Sequence, residues 1–450
     1  MQAVPPSTVY CLLSTVIPAL SLVVLVGPSG CGKSTFARRH FGPFEVLSSD
    51  FFRGLVSNDE NDQSATRDAF SALHHVAGAR LGRGLLTVID ATSVTPASRQ
   101  ALVALARRHH VDAIAIVLDL PVELCVERNR ARAERSLDAS IVQRQVDQLH
   151  ESLPGLRAEG FARVVLLRDP AEVDAVALVR EPMPNDRRHL RGPFDVIGDV
   201  HGCIDELREL LERLGYVVHG AGDDVMVEPP PGRSAVFVGD LVDRGPDTPA
   251  VMRLVMSMVA AGSALVVQGN HDAKLVKALR GRNVQLKGGL EDSLEQLGRE
   301  SAEFRRAIAD FLAACGTHVM LDDGGLLVAH AGLPERLHGR ESPKVRAFSL
   351  FGDTTGELDE LGLPVRLDWA ASYRGRAAVV YGHTPVADPE WRNNTINIDT
   401  GCVFGGRLTA LRWPARELVS VPARRAYAVP RRPFLPEHGA LAKAKTETPS

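Results

Sequence analysis

Apolar runs recur along the chain, and their lengths and spacing predict its elements. "LVVLVG", "FEVLSSD", "LLTVIDAT" and "AIAIVLDLP" are continuous hydrophobic stretches, short enough for strands and apolar enough to be buried on both faces. Between them, "KSTFARRHF", "SRQALVALARRHH" and "PVELCVERNRARAERS" alternate apolar and charged positions at helical spacing. The pattern predicts an α/β domain, a doubly wound parallel sheet covered by helices, with "FARVVLLRDP" near 161–170 as one more strand.

A different pattern follows "REPMPNDRRHLRGP", a polar, proline-bearing stretch that reads as a linker. Five segments then repeat one form: an apolar strand, a small residue, and a side chain able to hold a metal. They are "FDVIGDVHG", "AVFVGDLVDRG", "ALVVQGNHD", "LLVAHAG" and "AVVYGHTP". Helical spacing fills some of the gaps, and residues 281–320 look helical without evident chemistry. "NTINIDTGCVFGGRLTALRW" is expected to form a hairpin of late strands. The expected organisation is a first domain over 17–180, a linker over 181–192, a second domain over 193–425 and a disordered tail over 426–450.

Composition narrows this little. A chain of 450 residues with 45% hydrophobic and 24% charged content is ordinary globular protein with more than one core. A net charge of −3 argues against a broadly basic nucleic-acid binder but permits a local basic groove. Six cysteines without a C-x-x-C pair point to a reducing cytoplasm rather than a disulfide framework. The apolar N-terminal run has no basic flank and is interrupted by Pro18, so a strand feeding the glycine loop is expected, not a membrane span. Residues 1–16 are expected to be a loose extension. Lys33 is the only lysine before Lys274 in a chain that otherwise uses arginine, which marks a position where a guanidinium does not fit.

"GPSGCGKST" fits the phosphate-loop pattern G-x-x-x-x-G-K-[ST] through Gly27, Gly32, Lys33 and Ser34, with Gly30 and Thr35 in the same loop. Its backbone N–H groups wrap phosphates, its lysine reaches the β and γ positions and its serine holds Mg²⁺, so ATP with Mg²⁺ is the expected cofactor. Asp50, after the next strand, stands where an acceptor hydroxyl could lose its proton; the alternative is a helix cap. Arg128 and Arg132 share one helix face, aimed either at the phosphates or at solvent beside Glu127 and Glu134. In the second half, Asp199, His201, Asp240, Asn270, His330 and His383 offer oxygen and imidazole ligands without thiolate, which suits Mn²⁺, Fe or Zn²⁺, or a mixed pair. Asp243, Arg244 and His271 lie among them.

"GDVHG", "GDLVDRG", "GNHD", the late histidines and "IDTGCVFGGRL" resemble the calcineurin-like metallophosphoesterases, most of all the branch with phosphoprotein phosphatases and diadenosine tetraphosphatases. The resemblance covers about residues 193–425. It implies one metal on Asp199, His201 and Asp240, and a second, bridged by Asp240, on Asn270, His330 and His383, with manganese expected. It implies His271 as general acid, Arg244 as phosphate clamp, Asp399 as a functional position, and Asp243 as the orienter of either His271 or Arg244. Joined to "SLVVLVGPSGCGKSTFARRHF", "SSDFFRG" and "ERNRARAER", the whole is similar to the bacterial polynucleotide kinase-phosphatases of RNA repair. That implies Asp50 as base toward a 5′-OH, Arg128 and Arg132 as lid arginines, and polynucleotide ends, RNA or DNA, as partner. No lysine lies between Lys344 and Lys443, so the ligase module of longer relatives has no nucleophile here and a separate ligase is expected. A homodimer is compatible with the sequence. The alternatives are a dinucleoside-polyphosphate or protein phosphatase fused to a small-molecule kinase, and a nucleotide-sensing P-loop domain that only gates the phosphatase.

Overall fold

A computed structural model describes residues 14–131, 137–360 and 362–431. The chain divides into two units, Met1–Met183 with Arg340–Ser342, and Pro184–Gly339 with Pro343–Ser450.

The first unit holds β1 (Ser14–Pro18), β2 (Ser21–Val26), β3 (Val46–Ser48), β4 (Thr87–Asp90), β5 (Asp112–Leu118), β6 (Arg163–Leu167) and β7 (Ala177–Glu181). Its helices are α1 (Lys33–His40), α2 (Ser49–Ser57), α3 (Thr66–Gly82), α4 (Pro96–Arg108), α5 (Val122–Arg130), α6 (Ala139–Ser152) and the short α7 (Leu156–Glu159) and α8 (Pro170–Ala175). Five strands form a parallel sheet in the order β3-β4-β2-β5-β6. Alternate side chains of β2 serve two cores. Leu22, Val24 and Val26 pack with Leu73 and Ala77 of α3 and Leu102 of α4. Val23 and Leu25 pack with Phe36 of α1, Cys125 of α5 and Val142 of α6. Double-sided burial is why these strands read as unbroken apolar runs. Residues 14–16, expected to be loose, belong to β1, which pairs in parallel with β7 because Ile17 is drawn into the second core.

The second unit contains β8 (Phe194–Ile197), β9 (Val217–His219), β10 (Met226–Glu228), β11 (Ser234–Phe237), β12 (Ala264–Val266), β13 (His318–Leu321), β14 (Leu326–Ala329), β15 (Thr354–Leu358), β16 (Pro364–Arg366), β17 (Ala378–Tyr381), β18 (Trp391–Arg392), β19 (Thr395–Asn397), β20 (Arg407–Trp413) and β21 (Glu417–Pro422). Two five-stranded sheets, β12-β11-β8-β20-β21 and β13-β14-β17-β19-β18, pack face to face. Val196, Val236 and Leu411 of one meet Val328, Val380 and Ile396 of the other. Helices α9 (Ile204–Leu214), α10 (Thr248–Ala260) and α11 (Asn270–Leu279) cover the first sheet through Leu207, Leu210, Val251, Leu254 and Leu275. Helices α12 (Leu290–Gly298) and α13 (Ala302–Ala314) follow.

The expected late hairpin does not form. β19 belongs to one sheet and β20 to the other, so residues 398–406 cross between them. The crossing is held by Asp399 Oδ1, which accepts from Gly401 N (3.0 Å), and by Arg407 N donating to Thr400 O (3.0 Å). The segment read as a linker is fastened along β13: Met320 N donates to Asn185 O (2.8 Å) and Arg187 N to Met320 O (2.9 Å). At the other end, Tyr427 N and Ala428 N both donate to Val403 O (2.9 and 3.0 Å), so contacts continue past residue 425.

One buried ion pair braces the phosphate loop. Arg99 is fully buried, bonds Glu159 through Nε and Nη2 (2.8 and 2.6 Å), and donates from Nη1 to Ser93 O (2.8 Å). The neighbouring Thr92 O accepts from Gly27 N (3.1 Å). Removing one member leaves a buried charge unpaired, so Glu159→Ala should cost about 3 kcal/mol. Urea unfolding followed by circular dichroism checks this, and an unchanged midpoint would refute it.

Candidate metal centre and phosphate-loop site

Both sites lie at the carboxyl ends of strands. In the first unit the loop between β2 and α1 carries Gly30 and Gly32 at positive φ (84° and 98°), and α1 starts at Lys33. Lys33 is buried and its Nζ donates to Gly27 O (2.8 Å) and Pro28 O (2.9 Å). Ser34 is half-buried and Thr35 exposed. Arg128 reaches the loop: its Nη1 lies 3.6 Å from where a Cβ on Gly32 would stand. Arg132 falls outside the described residues.

Asp50 occupies the first turn of α2 and pairs with Arg53, whose Nη1 also donates to Glu60 O (3.0 Å). The helix cap is Ser48, which accepts from Phe51 N (3.5 Å), so Asp50 is not used as one. β3 is two strands from β2, about 10 Å at ordinary strand spacing. All the strands are parallel, so Asp50 and the loop share one sheet edge. Asp90 was missed from the sequence. It ends β4, paired beside Leu25 of β2, and is buried next to the loop. The signal was present, since "LLTVIDAT" also ends an apolar strand in a carboxylate.

In the second unit, three parallel strands from each sheet converge. β8, β11 and β12 deliver Asp199 with His201, Asp240, and Asn270 with His271; β14, β17 and β19 deliver His330, His383 and Asp399. Ligand atoms of His201, Asp240 and His271 lie within 4.8 Å of one another, and so do those of Asp240, His330 and His383. Asp240 belongs to both groups. Its Oδ2 stands 3.6 Å from His201 Nε2 and 3.4 Å from His330 Nε2, a bridging position.

The imidazoles are locked for ligation. His201 Nδ1 bonds Val242 O (2.8 Å) and His330 Nδ1 bonds Val238 O (3.1 Å), which turns both Nε2 lone pairs into the site. His330 Nε2 meets Asn270 Oδ1 and His383 Nδ1, each at 3.0 Å. Asp199 accepts from His383 N at Oδ2 (3.1 Å), while Oδ1 is buried without a hydrogen-bond partner. Converging lone pairs and an orphaned carboxylate oxygen fit divalent cations. A Cβ at Gly382 would stand 2.1 Å from that Asp199 oxygen, and one at Gly269 2.1 Å from Asp240 Oδ1.

The backbone is strained where the chemistry is. His201, Asp240, Asp243, Arg244 and His383 all have positive φ, from 45° to 76°. Each costs on the order of 1–3 kcal/mol, which the surrounding packing must offset.

Asp243 orients His271, with Oδ2 bonded to Nδ1 at 2.6 Å. His271 Nε2 then faces Arg244 Nη2 (2.8 Å), whose Nη1 faces His201 Nε2 (2.7 Å). Arg366 was missed. It comes from the β15–β16 hairpin, outside both sheets, and its Nη2 meets His383 Nε2 at 2.6 Å. No strand-end pattern announces it. Asp272, also missed, accepts from Leu241 N (3.0 Å) and Gly269 N (2.9 Å) and so ties α11 to the Asp240 loop.

Without a cation the centre is electrostatically unbalanced. Burial, then Asp399 and Asp240, push the Asp199 carboxyl well above its usual range. Burial opposes charge on His330, but the Asp240 carboxylate beside it raises its pKa, so an imidazolium can offset the acids. Burial and Arg244 hold His201 well below its ordinary value. Asp399 is pushed up to about 6 and Asp272 to about 7, mainly by burial.

A strand-end cluster of bridging carboxylate, amide and imidazoles beside a clamped arginine is the centre of a metal-dependent phosphoesterase. Residues 192–406 match the calcineurin-like phosphoesterase family and residues 22–156 match an AAA domain family. The chain belongs to the calcineurin-like phosphoesterases. It is 47% identical over 246 residues to the asymmetrical bis(5′-nucleosyl)-tetraphosphatase PrpE of Anoxybacillus flavithermus, covering 54% of this chain and 99% of that one. The PrpE of Bacillus subtilis is 44% identical over 238 residues, covering 52% and 96%. A crystal structure described as a putative diadenosine tetraphosphatase is 26% identical with a TM-score of 0.39, covering 53% and 96%. These relatives match the phosphoesterase half alone.

Two outcomes follow. Asp399 and Asp272 titrate higher in the fold, at about 6 and about 7, than the roughly 3.9 of an unfolded aspartate. Between those values the metal-free fold binds more protons than the unfolded chain, so its stability falls as pH rises through the window. A cation removes that penalty, so Mn²⁺ should raise Tm several degrees more at about pH 8 than at about pH 5.5. Scanning fluorimetry with Mn²⁺ or a chelator reads this, and an equal shift at both would contradict it. Separately, Gly382→Ala should lower metal content by crowding Asp199, measured by elemental analysis at unchanged helicity.

Proposed function

We propose that the chain is a bifunctional nucleic-acid end-healing enzyme. The P-loop unit transfers the γ-phosphate of ATP to a 5′-OH polynucleotide end. The phosphoesterase unit hydrolyses 2′,3′-cyclic, 2′ or 3′ phosphates, leaving ends that a separate ligase can join. The observation that carries the reading is Asp50 on the same sheet edge as the phosphate loop, because a unit that only senses nucleotide has no use for an acceptor carboxylate there.

In the kinase step Asp50, oriented by Arg53, takes the proton of the attacking 5′-OH. Lys33 and Arg128 face the charge on the transferred phosphoryl group, with Ser34 and Asp90 toward Mg²⁺. In the phosphoesterase step Asp199, His201, Asp240, Asn270, His330 and His383 would hold two divalent cations, manganese by preference. When bound they supply positive charge and an acidified water. Arg244 grips the phosphoryl oxygens. His271, aligned by Asp243 through Nδ1, accepts from Arg244 at Nε2; with Arg244 turned to the phosphoryl oxygens, Nε2 would take a proton from solvent and pass it to the leaving ribose oxygen as the P–O bond breaks.

A second reading, asymmetrical dinucleoside-tetraphosphate hydrolysis beside a small-molecule kinase, is favoured by the 47% identity to the PrpE named for that activity. An RNA bearing a 5′-OH and a 2′,3′-cyclic phosphate, incubated with ATP, Mg²⁺ and Mn²⁺ and weighed by mass spectrometry, separates the two. Gain of a 5′-phosphate with loss of the 3′-terminal phosphate supports end healing. Untouched RNA beside rapid tetraphosphate cleavage would reject it. Asp50→Asn should lower 5′ phosphorylation at least about 10²-fold and spare 3′ hydrolysis, and His271→Asn the reverse.

A further inference from the structure

The metal centre opens into a groove longer than a terminal phosphate needs. A cavity of about 500 Å³ begins at His383, Arg244 and Arg366 and extends past Phe404 and Tyr427 to Arg431. A second, of about 540 Å³, shares Arg244, Asp292 and Tyr427 with the first and continues to Arg425 and Arg299. The two adjoin at these three residues, as an inner and an outer segment. Cations alternate with aromatic faces along them: the Arg244 guanidinium stands 5.1 Å from the Phe404 ring centre, and the Arg425 guanidinium 5.1 Å from that of Tyr427. Acids are fewer. Asp292 lies where the segments join, and Glu295 is engaged by Arg299 at 2.6 Å.

We infer that the outer segment is a track for the polynucleotide strand 5′ to the terminal phosphate, with Arg425 on a backbone phosphate and Tyr427 against a base. The inference rests on the end-healing reading and specifies its substrate as a strand rather than a single nucleotide. Three features favour a strand. Interleaved arginines and aromatic rings are how sequence-tolerant single-strand grooves bind, one class for the backbone and the other for the bases. The inner cavity already has room for a terminal nucleotide, so the outer one serves what lies beyond it. Arg425 is exposed and lines only the outer segment, away from the metal ligands.

The test uses the full chain with Mn²⁺ and compares wild type with Arg425→Glu. The substrates are a 3′-phosphorylated RNA hexanucleotide, a nucleoside 3′-phosphate, p-nitrophenyl phosphate and a dinucleoside tetraphosphate. We expect kcat/KM on the hexanucleotide to fall about tenfold, with a log–log salt slope shallower by about 0.7, the value of one lost single-strand phosphate contact. The two small monophosphates should keep their rates, because they reach only the inner segment. An unchanged hexanucleotide rate would overturn the track, as would an equal loss on the nucleoside 3′-phosphate. A loss on the dinucleoside tetraphosphate as large as on the hexanucleotide would overturn it too, making the groove a dinucleotide site. If wild type cleaves no RNA 3′ phosphate while cleaving the tetraphosphate, the end-healing reading fails first and the track with it.

Discussion

The phosphoesterase unit is organised around a repulsion. Asp199, Asp240 and Asp399 are buried together; Asp240, held ionised by the histidines around it, raises the cost of ionising Asp199 and Asp399, and Asp399 adds to that cost at Asp199. Such a group is tolerable only when positive charge is brought to it. The fold supplies some from within through His330, and geometry reserves the rest for cations through the unpaired oxygen of Asp199 and the bridging position of Asp240. Other local features serve the same end. Glycines sit where a methyl group would strike a carboxylate, left-handed backbone turns ligands inward, and carbonyls fix histidine tautomers.

Two sheets contribute to this, since the cluster draws side chains from the strand ends of both. Parallel strands carry their ligands to the same end, and packing two such sheets face to face brings those ends together. The phosphate-loop unit solves a simpler problem with one sheet. Its β2, β3 and β4 place lysine, Asp50 and Asp90 along a single edge, with the middle carboxylate on the strand beside the loop.

The strand-end cluster was legible as a cluster because each of its five segments ends an apolar run in a small residue, a local signature with a local cause. Asp399 was legible only through resemblance, and its setting explains why: it lies on a crossing between sheets, where strand pairing is decided by distant residues. The same crossing defeated the hairpin expectation, because two adjacent apolar runs look alike whether they pair or part. Whether Asp243 serves His271 or Arg244 depends on an angle that no spacing encodes. Arg366 was invisible for another reason. It arrives on a hairpin outside both cores, with no hydrophobic periodicity to mark it.

That hairpin divides the unit into parts under unequal constraint. The ligands are set by the register of two sheets, so an insertion in any of those strands would displace several at once. Among the described residues β15 and β16 pair with each other and with no strand of either sheet, so the strand-end cluster does not depend on their register. The strand-end cluster is therefore tied to the sheets, while the hairpin touches it through Arg366 at His383. A change in the hairpin thus acts first on Arg366 at the rim, and reaches the strand-end cluster only through His383.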